Sequence, residues 1–228
     1  MLEELKSRIL IHNAKISLPK DVYCKIRRTI DNFTNGMRES HDTYNKDRRA
    51  SKPLSDNENG KYGEFIASVW YVKNSFPLVI PDLEIRHGNE KGWECDLPFS
   101  KKNIEYPDVH VKTCTDFTSR ILQDRGDKFS WMMQVANEEG PGGRDKMMDR
   151  LNSDEVVAFV YAPHIDSATA FLIATAPLYL LIGNFEEPVF DKYKGLKRCI
   201  YYKRLKALSE NTDKLTLQDW RIKNGFPF

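Results

Sequence analysis

The stretch "YPDVHVKTC", Tyr106 to Cys114, decides the fold, because it sets a lysine inside what otherwise reads as a buried strand. Side chains alternate along a strand, so Val109 and Val111 point one way while Asp108, His110, Lys112 and Cys114 point the other. One face is apolar and the other carries ionisable groups. Taken alone, the pattern is that of a half-exposed edge strand whose polar face meets water.

The strand expected just before it, "GWECDLPF" over Gly92 to Phe99, repeats the pattern. Trp93, Cys95 and Leu97 share one parity, Glu94 and Asp96 the other. If the two strands pair, Asp96 and Lys112 converge. Metal-dependent phosphodiester cleavage uses that geometry: a carboxylate on one strand holds a divalent cation, a neighbouring strand supplies a second ligand, and a lysine orients the attacking water.

Working outward, "GKYGEFIASVWYVKN" predicts a helix with Phe65, Ile66, Val69 and Trp70 on its apolar side. Strands are expected near 77–86, 92–99, 107–114, 129–135, 155–162, 168–175 and 198–203. Residues 2–14 and about 20–37 have helical apolar spacing, with Leu2, Leu5, Ile9 and Leu10 in the first and Val22, Ile26, Ile30 and Phe33 in the second. They predict an N-terminal helical pair. Arg38 to Gly60 is polar and turn-rich and reads as a long loop. The expected architecture is α/β (α+β), a mixed central sheet flanked by helices, with residues 1–60 packed on a core of residues 61–228.

The chain has 228 residues, enough to bury one core. With 30% charged and 40% hydrophobic residues, neither a disordered nor a membrane protein is the natural class. A formal charge of +2 is too small to argue for nucleic acid by itself. Cys24, Cys95, Cys114 and Cys199 form no CxxC pair, which removes the usual zinc-finger reading and predicts reduced, mostly buried thiols. The N-terminus, "MLEELKSRILIHNAK", lacks the apolar run of a signal peptide, so a cytoplasmic location is expected. Ser167 to Phe185 carries no charge until Glu186, but Pro177 breaks it, and it reads as buried strand rather than membrane span.

The order of Glu64 on a helix, Asp96 on a strand and "HVK", His110 to Lys112, on the next strand resembles the PD-(D/E)xK nuclease superfamily, the restriction-endonuclease-like enzymes. The resemblance covers about Gly60 to Val135. It implies metal ligation by Asp96, Glu64 and the Val111 carbonyl, a water-positioning role for Lys112, and a place in the site for Gln134 of "SWMMQ". It also implies Mg²⁺ as cofactor, DNA as substrate and restriction-type or phage-encoded endonuclease activity, with a homodimer as a common assembly of such enzymes.

One position departs from the pattern. Where the resemblance calls for a second acid, the chain has His110. Imidazole is an unusual ligand for Mg²⁺ but suits Mn²⁺. Either His110 meets the metal or a phosphate, or a nearby acid, Asp108 or Glu94, replaces the missing carboxylate. The literal pairs Pro81-Asp82 and Pro107-Asp108 carry little weight, because the motif is degenerate. For nucleic-acid binding, "NKDRRASK" offers Arg48, Arg49 and Lys52, and the glycine-rich "EEGPGGRDKMMDRL" offers Arg144 and Lys146. The latter matches neither a Walker A motif nor a dinucleotide fingerprint. A structure-selective junction resolvase would use the same core. A catalytically inactive DNA-binding protein and a scaffold protein without a nucleic-acid role are the readings from other classes.

Overall fold

Two strands run through the centre of the molecule almost without a polar residue. Val156–Tyr161 (β4) and Thr169–Pro177 (β5) are buried over nearly their whole length, as strands covered on both faces must be. β5 pairs antiparallel with Leu10–Ser17 (β1) and with β4, and β4 pairs in parallel with Val109–Cys114 (β2). The order β1-β5-β4-β2 makes a mixed four-stranded sheet. Ser130–Gln134 (β3) and Lys197–Tyr201 (β6) form a separate antiparallel pair. In this computed structural model the structure describes residues 1–44, 54–83, 95–115, 127, 129–134, 146–151, 153–188, 195, 197–211 and 216–224.

The two faces of the main sheet have different covers. On one lie the helices Lys20–Tyr44 (α2) and Leu54–Lys73 (α3), whose Ile26, Ile30, Tyr62, Ile66 and Tyr71 pack with Val109, Val111, Val156, Ala158 and Leu172. On the other, Trp131 and Met133 of β3, Ile200 of β6, Leu205 of the helix Tyr202–Asn211 and Trp220 of the helix Leu217–Asn224 pack with Cys114, Val157, Phe159 and Ile173. The mixed sheet flanked by helices agrees with the expected α+β class.

α3 is the helix that positions the site. Tyr62, Glu64, Ile66, Ala67, Ser68, Trp70 and Tyr71 are all buried, so it has no broad solvent face. Gly63 lets it lie directly on β2: a Cβ added there would stand 1.9 Å from Thr113 Oγ1. Tyr62 Oη donates to the Ser167 carbonyl at 2.5 Å, and Ser68 Oγ donates to the Val79 carbonyl at 2.5 Å, tying the extended segment after Phe76 to the helix.

Several expectations are corrected. Residues 2–14 are not one helix: Leu2–Leu5 make a single turn (α1), and β1 follows. Leu10, His12, Ala14 and Ile16 alternate in the sequence as well as any strand, and pairing with β5 outweighs the weak helical spacing. There is thus no N-terminal helical pair, and the N-terminal segment belongs to the main sheet. The loop expected over Arg38 to Gly60 is shortened from both ends, since α2 continues to Tyr44 and α3 begins at Leu54. Residues 77–83 form no strand, and 95–99 contribute only an isolated bridge, Leu97 to Val109. All four cysteines are free thiols, three of them buried. Among the described residues no helix is long and apolar enough to cross a membrane.

Candidate active site

The outer edge of β2 is where the predicted site residues meet. Val109 exchanges both backbone hydrogen bonds with Leu97, at 2.9 and 3.1 Å, so its N–H and C=O face away from β4. Val111, two residues on, turns its own N–H and C=O to the same edge. Asp96 stands there: its Oδ2 accepts the Val111 N–H at 2.6 Å. The carboxylate is therefore anchored beside the backbone between His110 and Lys112.

Glu64 approaches from the α3 side. It is only 7% exposed, and Lys61, one helical turn earlier, holds it with Nζ 2.7 Å from Oε2 and 3.0 Å from Oε1. Burial pushes the Glu64 carboxyl up to about 8; the charges of Asp96 and Asp82 add to this, and Lys61 opposes it. One lysine does not offset three acids. Asp82 enters this neighbourhood because the Ser68 to Val79 bond and the buried Phe76 and Val79 hold its segment against α3.

His110 lies elsewhere. The sequence placed it on a polar face with Lys112; the structure buries it to 3% exposure. Its Nε2 is 2.7 Å from Glu155 Oε2, and Arg150 Nε donates to Glu155 Oε1 at 2.5 Å. Burial alone would raise the Glu155 carboxyl, but the hydrogen bonds from His110 and Arg150 hold it below the ordinary carboxylate range. Glu155 was not foreseen as a site-adjacent residue. The available signal was its place directly before β4, opposite Asp108 before β2, in two strands that run in parallel.

Asp108 does not take the place of the second acid. Its two oxygens accept from Ser100 N–H and Ser100 Oγ, both at 2.8 Å, and so close the turn at Phe99–Lys101. Glu94 lies outside the described residues. Lys112 is half-buried, follows Val111 directly and projects to the face opposite α3, with electrostatic partners of its own. Gln134 ends β3 opposite Lys197, its side chain outside the described residues. Arg48, Arg49, Lys52 and Arg144 lie outside them too, as does the side chain of Lys146, whose backbone opens the short helix Lys146–Asp149 (α4).

The structure thus fixes Asp96 on the Val111 backbone, places the buried Glu64–Lys61 pair within electrostatic range of Asp96 and Asp82, and pairs His110 with Glu155 instead. Among the described residues, no three His, Cys, Asp or Glu side chains converge closely enough to hold a metal ion by themselves. The oxygens in this neighbourhood, the two carboxylates and the edge carbonyl of Val111, are donors of the kind hard divalent cations take. Scanned against protein-family models, curated proteins and solved structures, the chain matches none.

Proposed function

We propose that the chain is a metal-dependent deoxyribonuclease of the restriction-endonuclease-like kind, acting as an endonuclease on DNA. The observation that carries this reading is Asp96 bonded to the Val111 backbone at the open edge of β2, with the buried Glu64 of α3 close enough to feel the Asp96 charge. These residues come from a helix, an extended segment and a strand. Their shared environment is short of positive charge: a buried glutamate with two acidic neighbours and one lysine is a site that a divalent cation would relieve.

Mg²⁺ or Mn²⁺ fits the oxygen donors, and Glu64, Asp96 and the Val111 carbonyl would hold it. When bound, such a cation supplies Lewis-acid charge for the phosphate oxygens and lowers the pKa of a bound water. Asp96, whose Oδ2 is fixed by the Val111 N–H, would offer its other oxygen to the cation or to a water beside it. Lys61 holds Glu64 in place, and Lys112, which projects to the sheet face opposite α3, would reach phosphate charge near the edge of β2 only along its long stem. A dimer would give two such edges for the two strands of a duplex.

A second reading is a DNA-binding protein without catalysis. It draws on His110, which stands at the second acidic position and is committed to Glu155 instead.

Incubating the protein with supercoiled plasmid, linear duplex and single strands under Mg²⁺, Mn²⁺ or chelator separates the two. Cleavage that requires the metal and is lost in Asp96→Asn supports the nuclease. Salt-dependent binding with no cleavage under any metal leaves the second reading standing.

A further inference from the structure

On the sheet face that carries Lys112, four aromatic rings open into one cleft. Phe129, Tyr161, Phe171 and Tyr202 line it with Asn13 and Ile173, around a volume of about 280 Å³. Tyr161 and Phe171 are register partners on β4 and β5, and their rings lie 25° from parallel with centroids 5.9 Å apart, so they make a floor. Phe129 stands 4.6 Å from Tyr161, and Tyr202 meets Phe129 edge-on at 85°. All four are half-buried where most large apolar side chains of this layer are buried. Each ring therefore keeps surface toward the cleft.

The rim is polar and deliberate in its geometry. β1 bulges between Ile11 and Ala14, and Asn13 at the bulge has φ 47°, a left-handed conformation that costs a non-glycine residue energy. The bulge turns the exposed Asn13 amide over the rings, where Nδ2 donates to Tyr202 Oη at 3.3 Å. Among the described residues that line it, none is charged. Among the described lining residues a phosphate would find no cationic side chain, whereas a flat ring with hydrogen-bonding edges would find both stacking surface and an amide.

Lys112 is the register partner of Phe159, two residues before Tyr161 on the same face. Strand rise and spacing put the Cα atoms of Lys112 and Tyr161 about 8 Å apart. We infer that this cleft is a stacking site for an unpaired nucleobase, held on the Tyr161 and Phe171 rings with its edge on Asn13, while the adjoining backbone runs toward Lys112. The inference rests on the nuclease reading and names the strand region that reading engages: single-stranded or locally opened nucleic acid.

The test uses the full-length protein in chelator, so that nothing is cut, and a short DNA strand carrying one 2-aminopurine, whose fluorescence falls when the base stacks. The expected result is quenching on binding. Tyr161→Leu and Phe171→Leu keep the cleft apolar and should each weaken single-strand binding about tenfold and abolish the quenching. Asn13→Ala, at an exposed position, should weaken it about threefold with quenching retained. Thermal melting monitors folding of each variant. 2-Aminopurine riboside monophosphate distinguishes a free nucleotide from a base within a strand; stronger quenching of the strand than of the monophosphate is expected. A folded Tyr161→Leu protein that binds and quenches like the wild type overturns the stacking site while leaving metal-dependent cleavage untouched. Absence of both cleavage and nucleic-acid binding in the wild type overturns the nuclease reading, and this inference falls with it.

Discussion

Two buried glutamates flank β2, and their surroundings are opposite. Glu155 has a histidine and an arginine on its two oxygens, and its carboxyl is held low. Glu64 has one lysine against two further acids, and its carboxyl is pushed up to about 8. The two are similarly inaccessible, 4% and 7% exposed. Burial alone therefore does not separate them. The Glu155 carboxylate is matched by two cationic or donor partners, whereas among the described residues Glu64 has a single lysine and two acidic neighbours, which is the contrast the proposed metal site draws on.

Neutral isosteres break this comparison most directly. Glu64→Gln is expected to lower cleavage by at least about 100-fold, because a charged ligand is lost, and to melt in chelator at pH 8 no lower than the wild type. Glu155→Gln is expected to behave the other way. Breaking a buried pair leaves Arg150 and His110 without their acceptor charge and costs about 3 kcal/mol, a fall of roughly 6 to 12 °C in melting temperature for a chain of this size. Melting curves and cleavage rates for the two variants side by side check both. A Glu64→Gln protein that melts well below the wild type, or a Glu155→Gln protein of unchanged stability, removes the distinction.

Gly63 sharpens the same contrast on the α3 side. Gly63→Ala forces a methyl group to within 1.9 Å of Thr113 Oγ1 and to 3.0 and 3.1 Å from its Cβ and Cγ2, so the Thr113 side chain or α3 itself must give way. Such overpacking costs about 1 to 3 kcal/mol, and because Glu64 is the next residue, activity should fall beyond what stability explains. Thr113→Ala in the same chain removes the nearest atom and should restore part of both. An unchanged melting temperature in Gly63→Ala would mean that the helix does not rest on the strand as closely as described.

These effects also explain what the sequence disclosed. β2 and β4 were legible because their valines alternate or run continuously over a short span bounded by polar residues. The positions of Glu64 and Asp96 were legible as an ordered pair. The fate of His110 was not: alternation says which face a side chain takes, and says nothing of what covers that face. Its partner, Glu155 with Arg150 behind it, comes from the segment before β4, 45 residues along the chain. Asp82 was set aside as a chance dipeptide, since tertiary contacts such as the Ser68 to Val79 bond and the buried Phe76 and Val79, rather than local sequence, hold its segment against α3. β1 was misread because Leu2, Leu5, Ile9 and Leu10 fit helical spacing while the better alternation begins at Leu10 and is realised by pairing with β5.

The smallest expected effect concerns the far end of α3, where His12 of β1 packs on Trp70 with ring centroids 4.6 Å apart and Nε2 2.8 Å from Thr175 Oγ1. Burial lowers its pKa from 6.5 to about 4, so the folded protein keeps the ring neutral. The unfolded chain takes up a proton as pH drops below 6.5, and the folded chain does not until about 4. Stability contributed by the neutral ring is thus present above 6.5 and lost as pH falls from there to about 4. Allowing for the ring's partial exposure, the loss is on the order of 1 to 2 kcal/mol. His12→Gln keeps a polar partner for Thr175 without the titration, so its melting temperature should fall less than that of the wild type between pH 7 and pH 5. Cleavage at neutral pH should change little, because His12 touches neither Glu64 nor Asp96. Parallel acid profiles for the two proteins would show that His12 is not the group whose protonation loosens this end of α3, and the slope would then belong to the carboxylates.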